Sequence, residues 1–181
     1  AGEEWARQLR YGFFERLCRE QGAKLATAHT RNDQAETLLL HLARGCGPAG
    51  AAGIPAVRGA VIRPFLTVSR RQTEAYCRAL GQPWVTDETN TADDYARNRV
   101  RHHALPALET VNPQTVEALA RFCDRMALVD GYLAAQADTL LETAKQGSGW
   151  RLCTLNEAHP AVRDEALARL LGPHARADAV A

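Results

Sequence analysis

The sequence predicts an α/β fold: a truncated doubly wound parallel sheet followed by a helical extension. Over residues 5–45 an amphipathic helical pattern, a short apolar run, a polar loop and a leucine-rich helical pattern follow one another, the order of an α/β unit with a parallel sheet. A second extended segment, "AVIRPF", follows at residues 60–65. From Asn112 onward apolar residues recur in three- and four-residue steps for about 30 residues, a helix too long for an ordinary packed element.

The first helix is read from Trp5, Leu9, Phe13 and Leu17, one every four residues, and Gly22 closes it. A face so apolar requires a partner, and the chain opens already inside the pattern, so it is expected to be a piece of a longer protein. "AKLATA" (23–28) is a buried strand, "HTRN" a loop, and "DQAETLLLHLARG" (33–45) a helix with leucines at 38, 39, 40 and 42. "GCGPAGAAG" (45–53), with four glycines in nine residues, is a flexible or tightly turned loop. Pro64 holds Arg63 out of the helical region, which keeps "AVIRPF" extended. Ser69 and Gln72 form a capping box that opens a helix through Leu80, stopped at Gly81.

"PWVTDETNTADDYA" has no periodicity and is a surface loop, with Asp87, Glu88, Asp93 and Asp94 as solvated counter-charge to the arginines after it. Those arginines stand in "RNRVRH" (97–102). On a strand Arg97, Arg99 and Arg101 share one face. On a helix Arg97 aligns with Arg101, and Val100, Ala104 and Leu108 make an apolar stripe. The helix formers of "HHALPALE" favour the helix, which Pro106 must kink or end. Either geometry brings guanidiniums together, and they require an anion: carboxylates of the same chain, or phosphates. Asn112 caps the long helix and Pro113 starts it, Val116, Leu119, Cys123, Met126, Leu133, Ala137, Leu140 and Ala144 line one face, and Gly131 is a point for a bend. "GSG" (147–149) ends it, "WRLCTL" is a short strand, and a last helix starts at Pro160.

Composition narrows the class. The chain has 181 residues, 46% hydrophobic and 24% charged, with a net charge of +1, so any nucleic-acid binding must come from local patches. No apolar run approaches the length of a membrane span, and no signal peptide is visible. Five scattered cysteines without a CxxC pair exclude zinc ribbons and redox dithiols, and suit reduced thiols in a cytoplasm.

"TAHTRNDQAET" is the strongest candidate for chemistry. His29 lies just past the carboxyl end of a strand, where open α/β sheets bind ligands. Asp33 and Glu36 share a helix face, a spacing suited to holding hydrated Mg²⁺ or accepting a proton. Carboxylates in a first turn also simply complement the helix dipole. The glycine-rich stretch lacks the lysine of a Walker motif. His102 and His103 are adjacent, so on a helix they diverge and make no metal pair.

"LATAHTRNDQAETLLLHLARGCGPAGAAGIP", then "VIRPFLTVSRRQTEAYCRALGQPWVTDETNTADDYARNRVRHHALPAL", resembles the tRNA(Ile)-lysidine synthetase family. "ARQLRY" near the start and "LNEAHPAVRDEALARLL" near the end extend the likeness, while Asn32 stands where the family usually has an acid and His103 where it often has Glu. The resemblance implies a PP-loop ATP pyrophosphatase with an adenine-nucleotide-hydrolase-like fold. Residues 1–111 would be the C-terminal part of its nucleotide-binding domain, 112–146 a long linker helix and 147–181 the start of a truncated second domain. Such enzymes adenylate the C2 oxygen of the wobble cytidine in an isoleucine tRNA, and the ε-amine of free L-lysine then displaces AMP. By resemblance, Asp33 and Glu36 act as catalytic carboxylates and Mg²⁺ ligands, His29 and Arg99 meet ATP, and Arg97, Arg101 and His102 meet the tRNA, with the triphosphate as the other anion open to the arginine cluster.

The family's SGGxDS phosphate loop does not occur in this sequence, so these residues alone are expected to form no lysidine. The unpaired edge of "KLATA" predicts self-association, as a homodimer. A tRNA 2-thiocytidine synthetase shares the ATP chemistry but resembles a CxxC cluster protein. A non-catalytic remnant or binding module of the same fold is the reading from a different class.

Overall fold

The computed structural model describes residues 2–85 and 95–172. The acidic loop that the sequence offers as counter-charge lies largely outside the described residues. The chain divides into two compact units, Ala1–Asp124 and Arg125–Ala181.

The first unit begins with α1 (Gly2–Gln21), β1 (Leu25–Ala26), α2 (Arg31–Ala43) and a helical turn α3 (Pro48–Ala51). A hairpin of β2 (Val57–Arg58) and β3 (Val61–Ile62) follows, then α4 (Arg70–Ala79). β1 runs parallel to β3, Leu25 opposite Val61, and β2 runs antiparallel to β3, Val57 opposite Ile62, giving the order β1-β3-β2. The β1-α2-β3 path is the expected α/β unit, in strands of only two residues each. The hairpin was not expected. It turns at Gly59, whose φ of +57° suits a residue without Cβ. "AVIRPF" keeps only Val61–Ile62 as strand.

α2 starts two residues earlier than the spacing predicts, because Thr30 rather than Asn32 is its cap. The glycine-rich stretch is not all loop, since Pro48 opens the turn of α3. α4 matches closely: Ser69 Oγ accepts the Gln72 N–H at 3.3 Å, and Gln72 Oε1 accepts the Ser69 N–H at 2.8 Å. On α1 the stripe of Trp5, Leu9, Phe13 and Leu17 is exposed.

The arginine-rich segment is helical, but not as one ordinary helix. α5 (Ala96–Arg99) passes into a π-helical stretch, Val100–Ala104, and then α6 (Leu105–Val111). Leu105 N–H reaches the Val100 carbonyl, five residues back. Pro106 lacks an N–H, and its ring would crowd the carbonyl four residues earlier, so the widened turn replaces the kink the sequence predicts. The extra residue rotates the helix: the buried partner of Val100 is Leu105, not Ala104, which is exposed. Leu105, Ala35 and Val116 form the core of this unit, flanked by Leu39, Val100 and Leu119.

Asn112 closes α6 instead of opening the next helix directly, and its Oδ1 accepts the Gln114 N–H at 2.9 Å. α7 (Thr115–Ala144) then runs unbroken through Gly131, across the boundary between the units. In the second unit a hairpin, β4 (Lys145–Gln146) and β5 (Gly149–Trp150), leads to α8 (Leu152–Glu157) and α9 (Pro160–Leu171). "WRLCTL" is therefore strand only at Trp150 and helix from Leu152. Ala137, Ala144, Leu155 and Ala166 are buried here, and Arg169 pairs with Asp138 and Glu165. Among the described residues no helix is long and apolar enough to cross a membrane.

The α4 cap is open to a direct check. Ser69→Ala removes an acceptor for an N–H of the first turn and should lower unfolding free energy by about 1 kcal/mol. Urea denaturation should show the loss as a lower midpoint with an unchanged m-value.

Candidate functional site

β1 delivers the chain to the start of α2. Thr27 N–H bonds to the Ile62 carbonyl at 3.0 Å, which fixes the chain at the carboxyl end of the parallel pair. Two residues on, His29 Nδ1 lies 2.8 Å from Thr27 Oγ1. Thr30 then donates both its backbone N–H (2.7 Å) and its hydroxyl (2.8 Å) to Asp33 Oδ2. Asp33 therefore ties down the first turn of α2, the dipole-complementing role open to an acid at that place.

The four residues 33–36 divide the work by direction around α2. Gln34 turns to the glycine-rich loop: its Oε1 accepts the Ile54 N–H at 2.6 Å and its Nε2 donates to the Ile54 carbonyl at 3.2 Å. A Cβ on Gly53 would sit 2.7 Å from Gln34 Oε1, so the loop passes where only glycine fits. Ala35 is in the core. Glu36 faces the arginine-rich helix and is 1% exposed.

Two guanidiniums meet that buried carboxylate. Arg97 donates Nε to Glu36 Oε2 at 2.8 Å and Nη2 to Asp33 Oδ1 at 2.7 Å, bridging the two acids. Arg101 donates Nε to Glu36 Oε1 at 2.7 Å and Nη2 to Oε2 at 3.0 Å, a two-point grip on one carboxylate. The i, i+4 alignment of Arg97 and Arg101 thus has its anion within the chain. Burial alone would raise the Asp33 pKa. The two bonds from Thr30 and the charges of Arg97 and His29 outweigh it, and the carboxyl sits below its usual value.

These acids do not fit a Mg²⁺ pair. Every oxygen of Asp33 and Glu36 already accepts a donor, and the two nearest charges are cations that would repel a dication. Among the described residues no three His, Cys, Asp or Glu side chains gather as a metal-ligand set.

Of the residues the sequence singles out, the structure joins Asp33, Glu36, Arg97 and Arg101 directly, with His29 close enough to act on Asp33. Arg99 is exposed and His102 half-buried on the same helical segment. The His102 and His103 rings stand edge to face with centroids 6.4 Å apart.

Sequence reasoning missed Arg63. It follows β3 directly, is 8% exposed, and donates Nη1 to the Pro55 carbonyl at 2.7 Å, while its Nε makes no hydrogen bond. A buried guanidinium with an unanswered donor is unusual. The visible signal was the Arg63–Pro64 pair, read only for its backbone. Asn32 was also undervalued: its Oδ1 accepts the Arg70 N–H at 2.9 Å, joining the starts of α2 and α4.

Comparison with known proteins gives this site a setting. The model of the PP-loop domain family matches residues 2–108, which include every residue named above for the site. A tRNA(Ile)-lysidine synthase of Salinispora tropica is 46% identical in an alignment covering 94% of this chain and 54% of the relative. One of Thermus thermophilus is 42% identical over 93% of the chain and 34% of the relative, and one of Geobacillus kaustophilus 43% identical over 72% and 29%. The chain spans about half or less of the length of these relatives.

The ion-pair cluster predicts two stability effects. Arg101→Ala leaves Glu36 buried with half its compensation lost and should lower unfolding free energy by about 3 kcal/mol, measured by denaturant titration. Asp33, with its pKa depressed on folding, stabilises the fold fully above the unfolded carboxylate value of about 3.9, and that share is lost as pH falls through the lower folded value. Unfolding midpoints followed on acidification should therefore fall less steeply in Asp33→Asn than in the parent chain.

Proposed function

Because the chain belongs to the PP-loop domain family, we propose that it is part of an ATP-dependent tRNA(Ile)-lysidine synthetase. The likeness to synthases of that name over nearly the whole chain carries the reading. The cluster of Asp33, Glu36, Arg97 and Arg101 beside the carboxyl end of a parallel strand supports it.

In this reading residues 1–111 are the C-terminal part of a nucleotide-binding domain whose full sheet is doubly wound, 112–146 a linking helix and 147–181 the start of a second domain. The reaction joins free L-lysine to the wobble cytidine of an isoleucine tRNA. The cytidine O2 attacks the α-phosphorus of ATP, pyrophosphate leaves, and O2 carries AMP. The uncharged ε-amine of lysine then bonds to C2, the C2–O bond breaks, AMP departs with the oxygen, and the nitrogen, cationic after the attack, gives up one of its two protons. Adenylation matters because it turns a poor leaving oxygen into a good one.

The side chains supply positioning and anion recognition. In this reading His29 and Arg99 meet ATP, and Arg97, Arg101 and His102 meet the tRNA. Asp33 and Glu36, expected from sequence as base or metal ligands, act here by orienting the arginines. Mg²⁺ is proposed as the companion of ATP, not as a ligand of these two acids. A cytoplasmic homodimer completes the proposal.

The test is direct. The intact protein containing this chain is incubated with ATP, Mg²⁺, radiolabelled lysine and the isoleucine tRNA. Label should enter the tRNA with one pyrophosphate released per lysine joined. Pyrophosphate release without label in the tRNA would reject the lysine half of the reading, and neither product would reject the whole.

A further inference from the structure

The arginine cluster is not uniform, and its asymmetry assigns separate tasks to its members. Arg101 lies inward: 16% of its side chain is exposed, and both its Nε and an Nη grip Glu36. Arg97 lies outward: 37% of its side chain is exposed. Its Nε is fixed by Glu36 and its Nη2 by Asp33, so the plane of the guanidinium is set by two acids from one helix. Nη1 has no partner among the described residues, and it belongs to a group that cannot rotate without breaking both bonds. A planar donor held on one edge and open on the other is suited to an anionic oxygen pair.

We propose that Arg97 is the phosphoryl-contacting residue of the cluster and that Glu36 is its positioning residue. The inference rests on the lysidine synthetase reading for its choice of ligand and on the ion-pair geometry for everything else. Two carboxylates and two guanidiniums balance in charge, so the grip on a phosphate comes from oriented donors more than from net positive field. Loss of orientation should therefore harm binding nearly as much as loss of the arginine. The phosphoryl oxygens belong either to ATP or to the tRNA backbone, and the two sources separate experimentally.

The intact protein, with Arg97→Ala, Arg97→Lys, Glu36→Gln and the Arg97→Ala/Glu36→Gln pair, is titrated with ATP and, separately, with an isoleucine tRNA transcript at several salt concentrations. Arg97→Ala should weaken one of these ligands by about tenfold or more, the loss expected for one charge-assisted hydrogen-bond site. If the ligand is tRNA, the salt slope should also become shallower by about one unit. Glu36→Gln should weaken the same ligand, and the paired variant should bind no worse than Arg97→Ala, because Glu36 acts through Arg97. Glu36 is buried, so its variant risks poor folding. Arg97→Lys supplies an independent arm, since a lysine keeps the charge but cannot hold two acids and still present an edge. It should lose most of the affinity that Arg97→Ala loses.

Unchanged affinity for both ligands in Arg97→Ala would overturn the contact. Wild-type binding by Arg97→Lys, or by a folded Glu36→Gln with only a lowered melting temperature, would overturn the positioning role. These titrations need no turnover, so affinities that move as expected in a protein that joins no lysine would reject the reaction and leave the Arg97 assignment standing.

Discussion

The carboxylate of Glu36, 1% exposed, is the group on which the rest of the first unit depends. An ionised carboxylate removed from water is tolerable only with close, well-aligned cations, and removing either partner leaves a charge the interior cannot solvate. The compensation comes from 61 and 65 residues downstream, so an electrostatic requirement of α2 also fixes where α5 and the π-helical stretch must lie. Hydrophobic contact alone would not set this register. Ala35, Leu105 and Val116 would tolerate sliding by a fraction of a turn, whereas the two-point bond of Arg101 would not.

The π-helical stretch reconciles two demands on one segment. Arg97 and Arg101 must both face Glu36, which the spacing of an ordinary helix satisfies. Leu105 must enter the core beside Val100, which that spacing would deny it, because Ala104 would take its place. One extra residue in the turn after Arg99 lets both be met, and Pro106 makes the widened turn inexpensive, since it has no N–H to give the usual ladder. The sheet is slight by comparison, and the geometry of the site comes from helix facing helix.

Much of this was legible from local chemistry. Ser69 with Gln72 announces a helix start because both bonds lie within four residues, and Gly22 and Gly81 end helices with a backbone only glycine adopts easily. The candidate residues were also found, since paired acids and alternating arginines are visible as charge patterns. What sequence could not supply was the pairing between them. Local sequence reads Asp33 and Glu36 as a metal or proton site, and their arginine partners, more than 60 residues away, are invisible to it. The acidic loop, nearer in sequence, was the counter-charge that local pattern offered, and nothing local pointed to α2 as another. Arg63 escaped for a related reason: one arginine beside a proline carries no pattern, and only its burial makes its unanswered Nε significant.

The same geometry bears on how a nearly neutral chain would hold the phosphoryl group proposed for Arg97. With a net charge of +1 and a cluster whose acids and arginines balance, long-range attraction to a polyphosphate is weak. Short-range recognition does not need it. A guanidinium already locked by Asp33 and Glu36 has surrendered its rotational freedom during folding, so less is lost when a phosphate arrives. The acids that cancel the charge of Arg97 are also what orient it. Specificity for a shaped anion, rather than general affinity for negative charge, is what such an arrangement selects.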